Sequence, residues 1–163
     1  MPRDLPILFS GPMVRAILDG RKSVTRRTGK RRWAPGDRLW VRETWAQDAW
    51  GTILYRETNP DAAPKWRPSI FMRRIHSRLT LEVLNVRSEQ LQAITPDEVR
   101  MEGVVRLAGY GNIVGLDGCE RRDDAVSRLL LWERGWDSIN GKRPGCSWAD
   151  NPLVWRIEFR RVE

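Results

Sequence analysis

The sequence predicts a small α+β fold, a β-barrel with α-helices packed outside it. Alternating apolar and polar side chains mark Arg38–Trp45, Arg78–Val86 and Leu153–Val162 as strands. Helix signals are confined to three short stretches. The order strand, helix, several strands, helices, strand lacks the regular βαβ alternation of a parallel sheet. A chain of 163 residues with 40% hydrophobic content fits one domain, residues 1–163. Chains near this length bury roughly 70% of their unfolded surface, so the core needs no covalent or metal staple.

Leu5–Phe9 is short, apolar and bounded by prolines, as befits a first strand. Ser10 stands at a cap position and Pro12 in the first turn of the next helix. Met13, Val14, Ile17 and Leu18 then follow helical spacing, and Gly20 is a natural stop. Ala34-Pro35-Gly36-Asp37 is a turn. In the strand after it, Leu39, Val41, Glu43 and Trp45 share one face, and Arg38, Trp40, Arg42 and Thr44 the other. Glu43 thus stands on a mainly apolar face, at a barrel mouth or a strand end. Thr52–Arg56 is a further short strand, and Thr58–Pro68, with three prolines, a surface loop. Both faces of Arg78–Val86 carry apolar residues, which suits a closed barrel with a helix or loop outside. Thr95-Pro96-Asp97-Glu98 opens a helix ending at Gly103. Glu102 is its last residue, where a negative charge opposes the macrodipole. Val104–Cys119 is glycine-rich and reads as a loop or insertion. Arg122–Gly135 reads as a helix, Lys142–Pro152 as a loop and Leu153–Val162 as the closing strand.

A net charge of +8 and a pI near 10.4 call for an acidic partner, nucleic acid or nucleotide before a membrane surface. Arginine, which outnumbers lysine, suits bidentate phosphate contact and stacking on bases. The charge is densest in Asp19–Arg32, where seven of fourteen residues are Lys or Arg. Within it an amine, Lys22, and a hydroxyl, Thr25, lie three positions apart, a pairing that supports acid–base or nucleophilic chemistry. A solvated basic loop is the plainer reading. Nine tryptophans are an unusually rich complement, and Trp40, Trp45 and Trp66 are candidates to stack a base, with core packing the plainer role for any one of them. His76, Arg73, Arg74 and Arg78 form a second polar group. Cys119 and Cys146 lack a CxxC and, with the single histidine, make a poor metal set, so no metal and no cofactor is expected. They read as free thiols of a reducing compartment. The N-terminal apolar stretch is too short for a signal h-region or a span, so a cytoplasmic location is expected. There is no P-loop, dinucleotide glycine fingerprint or HExxH.

Gly20-Arg21-Lys22-Ser23-Val24-Thr25-Arg26 resembles the GxKxxTxR signature of ASCH domains in the PUA-like superfamily. PILFSGPMVRAILDGRKSVTRR, PGDRLWVRETW, RLTLEV, WDSING and NPLVWRIEF, in that order, resemble its phage and prophage branch. The resemblance implies a small PUA-like β-barrel with flanking helices and a cleft beside the signature loop. Segments near 46–67 and 104–120 have no counterpart and are expected insertions. Some bacterial ASCH proteins are amidohydrolases that remove the acetyl group of 4-acetylcytidine with a Lys, a Thr and a Glu. By resemblance these are Lys22, Thr25 and Glu102, with Glu98 as the alternative acid. Arg21, Arg26, Arg42, Glu43 and Trp45 are the expected substrate-binding residues.

Two chemistries stay open. A neutral Lys22, its pKa lowered by burial and by Arg21, Arg26 and Arg27, could take the proton of Thr25 or of a water. Alternatively Glu102 keeps Lys22 charged and is itself the base. The expected function is hydrolysis of an acylated cytidine or similar nucleoside. The alternatives are a non-catalytic RNA- or DNA-binding module, with RNA favoured, and a ribonuclease.

Overall fold

The computed structural model describes residues 1–63, 65–106, 112–114 and 120–162. Its frame is a five-stranded mixed sheet in the order β1 (Asp4–Leu8), β3 (Arg38–Arg42), β6 (Thr80–Gln90), β10 (Leu153–Arg161), β2 (Val24–Arg27). Strand β1 runs parallel to β3 and every other pairing is antiparallel. The two edge strands, β1 and β2, approach each other through a side chain, since Arg27 Nη2 donates to the Leu8 carbonyl at 2.6 Å. Two antiparallel pieces complete the strands: a hairpin of β4 (Trp45–Gln47) with β5 (Ile53–Tyr55), and a sheet of β7 (Val105–Arg106), β8 (Asn112–Val114) and β9 (Glu120–Arg122). The helices are α1 (Gly11–Leu18), α2 (Pro96–Met101) and α3 (Ala125–Asn140). No helix among the described residues is long and apolar enough to cross a membrane.

The core has two parts. Ile7, Val14, Ile17, Leu39, Val41, Leu81, Ile157 and Phe159 pack between the sheet and α1. Leu91, Val99, Leu131, Trp132, Trp136 and Val154 tie α2 and α3 to the far end of β10. Truncating one such side chain to alanine costs about 2–5 kcal/mol, through lost transfer energy and the cavity left behind.

The structure corrects four boundaries. The basic segment contains a strand, β2, whose Thr25 and Arg26 pair with Ile157 and Arg156 of β10. Four residues of mixed polarity carry no period of their own, so this strand is specified by its partner. The expected strand Arg38–Trp45 stops at Arg42, and Trp45 begins the separate β4 hairpin. Helix α3 runs through Gly135 to Asn140, because that glycine is buried within the helix and does not end it. Within Val104–Cys119 the described residues include β7 and β8, and the rest, with Cys119, lie outside the described residues.

Candidate functional site

Helix α1 ends in a tight reversal that turns Lys22 inward. The amides of Arg21 and Lys22 both donate to the Ala16 carbonyl, and Gly20 supplies the positive φ of 73° that the turn requires. Helix α2 arrives from the other side. Its start is held by a capping box in which Glu98 N donates to Thr95 Oγ1 and Thr95 N to Glu98 Oε2. Its end is Glu102, followed by Gly103 at φ 106°. A Cβ on Gly103 would lie 2.9 Å from that of Ala16 and 3.5 Å from that of Lys22, so glycine lets the two helix ends close on each other.

Between these ends lies a buried ionic cluster. The Lys22 ammonium donates to Glu102 Oε2 at 2.9 Å, to the Glu102 carbonyl at 2.8 Å and to the Val24 carbonyl at 2.7 Å. Its three hydrogens are all placed, and its side chain is 0% exposed. Arg26 reaches Glu102 Oε1 at 2.8 Å, Glu89 Oε1 at 2.8 Å and Glu98 Oε2 at 3.0 Å. The carboxylate opposing the α2 dipole is thus neutralised by two cations from the signature segment. Burial draws Lys22 below its ordinary pKa against the pull of Glu102, and Arg27 and Arg26 push the same way as burial. Burial pushes Glu98 up, but the Thr95 amide, Arg26 and Arg156 outweigh it and hold that carboxyl below its ordinary value.

In front of the cluster is a cavity of about 480 Å³, lying between the two edge strands and α3. Thr25, Arg26, Arg27 and Glu102 form one wall. The buried Trp33, Trp132 and Trp136 contribute an aromatic surface, with Trp132, Trp136 and Asn140 spaced four apart on one face of α3. The Thr25 hydroxyl makes no hydrogen bond among the described residues, whereas every other polar group of the cluster is engaged. Glu102 is on the wall and Glu98 is not, which separates the two candidate acids by position.

Of the residues singled out from sequence, Thr25, Arg26, Arg42 and Glu102 meet at this cavity, with Lys22 directly behind Glu102. Arg21 donates to the Gly103 carbonyl at 3.2 Å and braces the back of the site. Glu43 and Trp45 are elsewhere. Glu43 is held by Arg78 through two bonds of 2.8 and 2.9 Å. Trp45 stacks on His76 at 4.8 Å, beside Arg67 and Arg73. Trp40 is buried beneath Arg42, and neither it nor Trp66 lines the cavity. Arg74 pairs with Asp4. Cys146 is a free, half-buried thiol. No group of potential metal ligands is found among the described residues.

Sequence reading gave Arg27 only a part in lowering the Lys22 pKa, and passed over Trp33, Trp132 and Trp136 as site residues. Arg27 could have been found by counting, because in GxKxxTxR starting at Gly20 the last position falls on Arg27. The tryptophans left no such signal, since two come from a helix more than 100 positions away.

No family model matches the chain, and no curated protein matches it. Two solved structures are similar. An ASCH domain from Lactobacillus crispatus JV V101 superposes with a TM-score of 0.53 at 12% identity, covering 98% of this chain and 79% of that one. A protein of Enterococcus faecalis V583 assigned to DUF984 gives a TM-score of 0.49 at 10% identity, covering 99% and 81%. The chain has an ASCH-like fold.

Proposed function

With an ASCH-like fold as the premise, we propose that the cavity is the active site of an amidohydrolase for an N-acylated cytidine-type base. One observation carries the reading. An uncommitted hydroxyl, Thr25, shares a cavity wall with a carboxylate, Glu102, whose other side grips a buried lysine of lowered pKa. Perturbed titrating groups in a cleft are functional-site candidates, and here one stands with a hydroxyl and a carboxylate at a single cavity.

In this reading Thr25 Oγ attacks the acyl carbon and the carbonyl π pair moves to its oxygen. The hydroxyl proton passes by way of Glu102, on the same cavity wall, to the neutral form of Lys22 behind it. Collapse of the intermediate breaks the C–N bond, and the same proton goes to the departing exocyclic amine. Water then cleaves the Thr25 ester, releasing the acid and restoring the hydroxyl. Glu102 and the Val24 carbonyl hold the lysine in place, and Arg26 balances the Glu102 carboxylate. Trp33, Trp132 and Trp136 supply flat apolar surface for the pyrimidine.

The test is a hydrolysis screen over acylated cytidines read by chromatography. Conversion of 4-acetylcytidine to cytidine, lost in Lys22→Ala and Thr25→Ala, is expected. Wild-type rates equal to the protein-free control across the panel would refute the reading. A non-catalytic RNA-binding module is the second reading, favoured by the +8 charge. It predicts oligonucleotide affinity that falls steeply with salt and no conversion of any acylated base.

A further inference from the structure

The cavity wall carries far more positive charge than the chemistry uses. Its lining cations beyond Arg26 are Arg27, Lys30, Arg32, Arg42 and Arg143, and its single acid is Glu102. That acid is already shared by Lys22 and Arg26. None of the five remaining cations forms an ion pair among the described residues. Among the described side chains, five buried nitrogens find no acceptor, and three of them, Arg27 Nε, Arg42 Nε and Trp132 Nε1, belong to residues of this wall. These three nitrogens are closed to solvent, so what the wall offers a ligand is the surplus charge of its guanidinium and ammonium groups. Both guanidiniums are held by their other nitrogens, Arg27 on the Leu8 carbonyl and Arg42 on the Ile70 carbonyl at 3.3 Å. They are therefore pre-positioned. Burial brings the half-buried Arg27 down to about 10, with Glu102 raising it and the like charge of Arg143 lowering it, so it stays charged at neutral pH.

We propose that this cavity takes a phosphorylated pyrimidine nucleoside in preference to the free nucleoside, its phosphate held by Arg27, Arg42 and Arg143. This rests on the nucleoside-site reading above but not on turnover. A phosphate dianion would accept from the guanidinium groups of the wall and offset the repulsion between Arg27 and Arg143.

The experiment is calorimetric binding of cytidine, cytidine 5′-monophosphate and a short 5′-phosphorylated oligonucleotide to the full-length protein. The monophosphate is expected to bind at least about tenfold tighter than cytidine, the effect of one well-made charge-assisted hydrogen bond. Arg42→Gln and Arg143→Gln should each shrink that ratio, and the double variant should abolish it. Arg38→Gln removes the same charge from an exposed strand residue off the cavity wall and should leave the ratio intact. An oligonucleotide that outcompetes the mononucleotide assigns the phosphate to a strand end. Equal affinities for cytidine and its monophosphate, or a ratio that Arg38→Gln lowers as much as Arg42→Gln, would overturn the inference. Because binding is read without catalysis, tight monophosphate binding with no amide cleavage would sink the hydrolase reading and leave this one standing.

Discussion

Glu43 and Glu102 are both buried acids, 2% and 1% exposed, and both are gripped by arginine. Around Glu43 the carboxylate itself is fully taken up. Arg78 takes both its oxygens, Tyr55 lies under the guanidinium at 4.1 Å, and Thr58 receives another donor at 3.1 Å. Around Glu102 the charges are equally well matched, yet the cluster opens onto an aromatic cavity and has an idle hydroxyl beside it. A buried, paired charge is thus weak evidence for function by itself. The buried lysine behind Glu102 and the aromatic cavity in front of it are what distinguish the two regions.

The comparison breaks most readily at Thr25. Thr25→Ala should lower turnover by about 10²–10⁴-fold, the range for losing a positioned proton-transfer or attacking group. Its unfolding midpoint should move by less than about 4 °C, since little packing is lost. A parallel collapse of both would make Thr25 a packing residue.

Glu102→Ala should hit stability and turnover together. Removing one partner of a buried ionic set leaves Lys22 and Arg26 uncompensated, a cost of about 3–5 kcal/mol measured by urea denaturation. Glu43→Gln sharpens the contrast. It should cost about 1.5–3 kcal/mol, the worth of hydrogen bonds to a charged group, while the folded protein keeps its turnover within about twofold. A large loss of turnover there would place Glu43 in the site.

The pH dependences are smaller and have the same sign in two different pH windows. Lys22 is lowered in the folded state, so the neutral amine accumulates earlier than in an ordinary lysine, whose pKa is about 10.4. Turnover should rise with pH through that lowered value, and Lys22→Ala should remove the rise with the activity. The same group makes folding more favourable as pH climbs from the lowered value to the ordinary one. Asp37 acts in the same direction at acid pH. Its hydrogen bond from Arg3, joined by the Ala34 amide and opposed by burial, holds it below the ordinary carboxylate value. The stability it contributes is complete above that ordinary value and is lost as pH falls through the lowered one. Asp37→Asn should flatten the acid limb of the stability curve without altering the alkaline rise in turnover.

Much of this was legible in the chain. The cap at Thr95, the stop at Gly20 and the alternation in Arg78–Val86 and Leu153–Val162 are local signals, and each yields its element to within a few residues, though β6 continues to Gln90. Lys22, Thr25 and Glu102 were likewise identifiable from the signature and the helix that follows. Strand β2 was not, because its pairing with β10 lies 130 or so positions away and leaves no trace in its own four residues. The break after Arg42 was hidden for a related reason: Trp40 faces a second buried surface, so the alternation continues past the end of the strand.

Sequence by itself determined the inventory: which stretches turn, cap and alternate, and that an amine and a hydroxyl share one segment with many cations. Tertiary structure alone decided that Lys22 meets Glu102 across 80 positions, that three tryptophans and five cations without an ion pair among the described residues face one cavity, and that the Thr25 hydroxyl has no partner among them. The physical reason is range. Backbone propensity and side-chain period act within a turn or two, whereas the pairing of charges and the shape of a hollow depend on which distant surfaces packing brings together.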